Sequence, residues 1–163
     1  WTKINNEIKI LEKSKHGRVM RLERINDTSS SYVASKNFNV VNGQEYSMSI
    51  LAKPLKNEGF LGLRLSGVYP NRFDAVFDLS SSEVKNTFSG GDFHLTDASA
   101  VELDDGWIKC EIRGRVSSEL VRIIFGPTNS RIRPGIWESK AVRIKKIKII
   151  PESIKVQQAI EKK

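Results

Sequence analysis

The chain has 163 residues, 39% hydrophobic and 28% charged, which suits one globular domain with a packed core and excludes a disordered or fibrous chain. Its net charge of +8 fits an anionic partner, and fits equally well a sheet edge guarded by lysine. One cysteine and two histidines exclude an internal disulfide and a Cys/His zinc cage, and no apolar run reaches the ~20 residues that a membrane-spanning helix needs.

The chain opens at Trp1 and is read as an excised piece of something longer, with no signal peptide of its own. Short segments of strand character then follow one another, separated by turn residues. They run from Glu7 to Leu11, Arg18 to Ile25, Ser31 to Val41, Glu45 to Lys53, Phe60 to Ser66 and Phe73 to Leu79. Several alternate strictly. Met48, Ile50 and Ala52 oppose Ser47, Ser49 and Lys53; Leu61, Leu63 and Leu65 oppose Gly62, Arg64 and Ser66; Phe73, Ala75 and Phe77 oppose Asp74 and Asp78. Such alternation marks a strand with one face in the core and one in solvent. Asn42-Gly43 predicts a tight hairpin between two of these strands. Ser80-Ser81-Ser82 and Ser89-Gly90-Gly91-Asp92 are read as loops.

A turn signal, Asp105-Gly106, introduces the stretch that carries most information, from Gly106 to Val116. Ile108, Cys110 and Ile112 fall on one side, Trp107, Lys109, Glu111 and Arg113 on the other. Cys110 therefore reads as a small buried hydrophobe rather than a reactive thiol. Leu120 to Gly126 alternates next, with Val121, Ile123 and Phe125 opposing Arg122, and Ala141 to Ile150 ends the series with a bulge at Lys145-Lys146. From Lys140 onward eight basic residues face two acidic ones. The pattern predicts an all-β sandwich over residues 1–150, with 151–163 as a linker or a short C-terminal helix toward a following domain.

The order of these segments resembles carbohydrate-binding modules of the jelly-roll, galactose-binding-domain-like type. The residues that carry the resemblance are Tyr32-Val33, Phe38-Asn39-Val40, Gly43 through Lys53, Ala75-Val76-Phe77-Asp78-Leu79 and Asp105-Gly106-Trp107-Ile108-Lys109-Cys110. Ile108 stands where an aromatic is commoner in that family. The resemblance, over Ser31 to Ile150, implies a β-jelly roll of two antiparallel sheets and a non-catalytic accessory role beside a bacterial or phage enzyme or tail protein. It also implies an oligo- or polysaccharide partner. A secreted, cell-surface or phage-associated setting would follow, or a cytoplasmic one beside a glycan-synthesis enzyme. Family members often hold a structural calcium, for which Asp97, Asp104 and Asp105 are loop carboxylates of the right type; the reading here takes no cofactor and no metal.

If the apolar positions point between the sheets, the outward groups of the middle strands become ligand candidates. An aromatic plane stacks on the C–H face of a sugar ring, and planar polar groups read its hydroxyls. Trp107, Arg64, Arg113 and Glu111 form the preferred set, with Lys109 and Arg122 beside them. Tyr69, in the turn Val68 to Phe73, is a second aromatic candidate. Trp107 facing a groove and Trp107 sealing the sandwich edge remain open, as does an ordinary cross-strand ion network for the charged groups. Trp137, in Ile136-Trp137-Glu138, reads as a core plug, and Trp1 as a cap on the first strands. No catalytic residues are assigned: Asp74 and Asp78 look like a solvated strand face, and no nucleophile elbow or phosphate loop is present. A structural or assembly module that contacts protein is the alternative. A nucleic-acid partner is disfavoured, because the lysines near the end lack interleaved aromatics.

Overall fold

Strands with one apolar face bury it only by pairing and stacking. The computed structural model describes residues 2–14, 17–25, 31–54, 59–128 and 155–158. In chain order the strands are β1 (Thr2–Ile4), β2 (Asn6–Ser14), β3 (Gly17–Arg24), β4 (Tyr32–Ala34), β5 (Phe38–Asn39), β6 (Glu45–Ala52) and β7 (Phe60–Ser66). They continue with β8 (Arg72–Asp78), β9 (Glu83–Gly90), β10 (His94–Glu102), β11 (Ile108–Arg115), β12 (Leu120–Thr128) and β13 (Lys155–Gln158). A 3-10 turn, Asp104–Gly106, separates β10 from β11. One sheet has seven strands in the order β1-β4-β12-β7-β8-β9, with β5 also paired to β12. The other has four, in the order β10-β11-β6-β13, and β2 and β3 make a separate hairpin. The protein is an all-β sandwich of two antiparallel sheets, as the alternation predicts.

The core lies between the sheets. Met48, Ile50 and Ala52 of β6 and Ile108, Cys110 and Ile112 of β11 meet Leu61, Leu63 and Leu65 of β7, Phe73, Ala75 and Phe77 of β8, and Val121, Ile123 and Phe125 of β12. Leu22 from the hairpin joins this cluster. The strict burial alternation of β6 and β11 confirms the period-two reading of both segments. Burial holds the Cys110 thiol well above its usual pKa, so it stays a neutral, inert core group. Gly114 of β11 also faces inward: a Cβ there would stand 2.6 Å from both Phe73 Cε1 and the His94 carbonyl.

Several expectations need correction. The segment Ser31 to Val41 is two short strands rather than one, β4 and β5, and both pair with β12. Asn42-Gly43 does turn the chain, with Gly43 at φ 81° and Gln44 N–H donating to Val41 O at 3.2 Å. Yet it carries the chain from one sheet to the other rather than closing a hairpin, since β6 pairs with β11 and β13. Val116 is the anchor: Gly43 N–H donates to its carbonyl at 2.7 Å, and its own N–H donates to Gln44 O at 3.0 Å.

Strands β9 and β10 were not foreseen. Their residues are mostly small and polar, and much of their length is exposed, so neither shows an apolar alternation. Both lie at an outer position of their sheets, and each carries a register irregularity. Asp97 consequently sits in a strand and not in a loop. Within 151–163, where a linker or helix is expected, Lys155–Gln158 instead pair with β6 as a strand. The expected strand Ala141 to Ile150, its bulge, Trp1 and Trp137 lie outside the described residues.

Strand β8 is buried on both faces, unlike its neighbours. Its outward Val76 packs with Ala34 and Ile124, flanked by Tyr32 and Phe60, in a second small cluster outside the sandwich core. Asp74, expected on a solvated face, is fully buried beside that cluster.

Candidate functional site

The outer face of the four-stranded sheet presents a polar lattice set by strand register. Across it Leu51, Lys109 and Val101 form one row; Ser49, Glu111 and Ser99 the next; Ser47, Arg113 and Asp97 a third. Glu111 is the hub. Lys109 Nζ lies 2.7 Å from its Oε2, and Arg113 Nη2 lies 3.8 Å from its Oε1. Arg113 Nε also lies 3.9 Å from Glu45 Oε1, and Thr96 Oγ1 donates to Glu45 Oε2 at 2.9 Å. Lys109 and Arg113 keep 44% of their side chains exposed. Exposed pairs of this kind contribute only ~0–1 kcal/mol each. Their effect is to fix donors and acceptors in place while leaving them accessible.

Trp107 stands just before β11. It is half-buried, in extended backbone that follows Gly106 at φ 72°, and its carbonyl accepts a 2.6 Å hydrogen bond from Leu103 N–H. The turn signal in the sequence is therefore the 3-10 turn that aims the chain into β11.

Four of the seven candidate residues, Trp107, Lys109, Glu111 and Arg113, thus share one strand and its approach. The other three lie elsewhere. Arg64 and Arg122 project from the outer face of the seven-stranded sheet, on the far side of the sandwich. Alternation correctly placed both outward on their strands; it could not tell to which sheet β7 and β12 belong. Tyr69 is 81% exposed, next to Val68 at 74%, on the turn between β7 and β8. That turn is braced, since Asn71 N–H donates to Val68 O and Gly67 N–H to Asn71 O, each at 2.9 Å, while Asn71 Oδ1 accepts from Asp92 N–H at 2.9 Å. The peptide bond between Tyr69 and Pro70 is cis.

Arg64 takes part in a cross-strand ion network of the kind the sequence left open. Its Nε donates to Asp74 Oδ1 at 2.5 Å and its Nη2 to Asp74 Oδ2 at 2.6 Å, a bidentate pair. Arg72 Nε lies 3.7 Å from Asp74 Oδ2, and its guanidinium sits 4.7 Å over the Phe88 ring. Burial pushes the Asp74 carboxyl above its usual pKa, against the pull of both guanidiniums. The triad joins Arg64 of β7 to Arg72 and Asp74 of β8, so strand pairing as well as sequence spacing assembles it. Nearby, Asp78 accepts hydrogen bonds from both the amide and the hydroxyl of Ser80, at 2.9 and 2.5 Å. Its slight burial raises its pKa, but these bonds and Lys85 outweigh that and hold it below the usual carboxylate range.

Among the described residues no three His, Cys, Asp or Glu side chains come together as a metal site, and no helix is long and apolar enough to cross a membrane. The fold defines the chain as an all-β sandwich with a polar lattice on its smaller sheet. No protein-family model matches the chain, and comparison with curated proteins yields no match.

Proposed function

We propose that this domain is a non-catalytic carbohydrate-binding module, whose glycan lies across the outer face of the four-stranded sheet. The supporting observation is the Lys109–Glu111–Arg113 row, held by its own ion pairs and left accessible, with Trp107 at its end. A glycan needs an aromatic platform for its C–H faces and fixed donors and acceptors for its hydroxyls, and this strand offers both. The serines at 47, 49 and 99 add short hydroxyl groups on either side. The net positive charge favours an acidic polysaccharide. The test is a glycan array followed by calorimetry on the best ligand. Trp107→Ala is expected to lower affinity at least tenfold, while Arg122→Ala on the opposite sheet leaves it unchanged. Equal affinity of Trp107→Ala and wild type would refute the assignment.

A second reading is an assembly module that contacts protein, and the exposed pair Val68 and Tyr69 on their braced turn favours it. An empty glycan array together with a solution mass that rises with concentration, and falls back in Tyr69→Ala, would select this reading.

A further inference from the structure

The outer face of the four-stranded sheet changes character along its length. Asp97, Arg113 and Ser47 make one row and Ser99, Glu111 and Ser49 the next, whereas the third sets Val101 and Leu51 on either side of Lys109. Beyond that row Leu103 N–H donates to Trp107 O at 2.6 Å, which closes the connection from β10 to β11. Leu103 keeps extended backbone, at φ −105° and ψ 174°, so the alternation of β10 runs on through it and sets it on the side of Val101. Two residues of extended chain span about 7 Å, which makes Val101 and Leu103 neighbours. They are 51% and 40% exposed.

Single exposed aliphatic residues are ordinary on a protein surface, whereas contiguous ones mark a contact. Here Val101, Leu103 and the half-buried Leu51 surround the alkyl stem of Lys109. Branched aliphatic side chains give a sugar ring no flat platform, as an aromatic does, but they give a methyl group a place to bury. The area is too small for a lipid chain. Lys109 supplies a polar group beside it. An ammonium has three N–H donors, and Glu111 Oε2, at 2.7 Å from Nζ, takes one. The side chain is 44% exposed, so a second donor can reach a carbonyl oxygen on a ligand.

We infer that this corner of the sheet face reads an acetamido group on the glycan, so that the ligand contains N-acetylated sugar units. The acetyl methyl rests on Val101 and Leu103, and the acetyl carbonyl accepts a hydrogen bond from Lys109 Nζ. Glu111 and the serines at 49 and 99 are left to read ring hydroxyls in the next row. The inference rests on the sheet-face glycan reading and names the sugar class. It concerns the acetyl group alone, whatever charged groups the glycan carries elsewhere, so an uncharged matched pair of oligosaccharides isolates it.

The experiment is a two-dimensional amide NMR titration of the whole chain with chitotetraose and with cellotetraose. Both are β-1,4-linked glucose-type tetramers, and they differ only in an acetamido group or a hydroxyl at C2. Chitotetraose is expected to shift the Val101, Leu103 and Lys109 amides saturably and to bind at least tenfold more tightly than cellotetraose. The double variant Val101→Thr, Leu103→Gln should bring the two affinities together while its spectrum stays dispersed, and Arg122→Ala on the opposite sheet should keep the preference. Equal affinity of the two tetramers in the wild type overturns the acetamido inference and leaves the sheet-face reading standing. A preference that survives in the double variant overturns it as well, as does the absence of saturable shifts at this corner with chitotetraose. The sheet-face reading fails separately, if Trp107→Ala binds both tetramers as wild type does.

Discussion

Asp74→Asn is the most demanding test of the packing described above. The substitution keeps shape but removes the carboxylate that both Arg64 and Arg72 address in a fully buried position. Leaving an uncompensated buried charge typically costs about 3–5 kcal/mol. Domains are stable by only about 5–15 kcal/mol, so the variant should still fold at 25 °C with a large part of its margin gone. With a urea slope of about 1–3 kcal/mol/M, the midpoint should fall by roughly 2 M at unchanged slope. Arg122→Ala, exposed on the same outer face, should stay within about 0.5 kcal/mol of wild type. Replacing all three groups together, by Arg64→Met, Arg72→Met and Asp74→Leu, should recover the loss or exceed wild type, because apolar replacement of a buried ion cluster is often neutral to stabilising. Urea unfolding followed by tryptophan fluorescence and circular dichroism measures each variant. A midpoint shift below about 0.5 M for Asp74→Asn would refute the reasoning, and a triple variant as weak as the single one would show that packing, not charge, carries the effect.

Three further outcomes are expected. Gly114→Ala places a methyl 2.6 Å from Phe73 Cε1, and Phe73 is fully buried against Phe93 at 6.1 Å between ring centroids, so neither ring can yield freely. The overpacking should cost about 1–3 kcal/mol, read as a fall in Tm of about 2–4 °C per kcal/mol; an unchanged Tm would contradict the inward placement of Gly114. Tyr46→Phe removes the hydroxyl that accepts the Val41 N–H at 2.7 Å, beside the inter-sheet turn, and should cost about 1 kcal/mol in chemical denaturation, against none if water replaces it without penalty. Asp78 binds its proton less tightly in the folded chain than in the unfolded one, so its contribution is complete above the ordinary carboxylate pKa of about 3.9 and is lost as pH falls through the lowered value. Asp78→Asn should therefore flatten the acid limb of the stability curve below about pH 4, and a limb as steep as in wild type would remove Asp78 from that account.

The polypeptide by itself determined the strands whose side chains alternate. In β6, β7 and β11 the alternating apolar sets, Met48 to Ala52, Leu61 to Leu65 and Ile108 to Ile112, must go inward, because a one-residue slip would expose the whole set. The same period placed Cys110 in the core and aligned Lys109, Glu111 and Arg113 on one outward row, so that row was legible before any tertiary structure. Three things were not. Strands β9 and β10 carry no apolar period, because outer strands of short polar residues are held by backbone pairing that every sequence can offer. Arg64 and Trp107 both read as outward, yet a two-layer sandwich has two outward sides, and only the assignment of β7 and β11 to different sheets separates them. Asp74 read as solvated, since a carboxylate in a strand is ordinarily exposed; its burial is compensated by the guanidinium at position 64, which strand pairing sets opposite it, and by that at position 72 on its own strand. Period is a local property and survives in the sequence, whereas which faces meet, and which stay open to a ligand, depends on long-range pairing of strands.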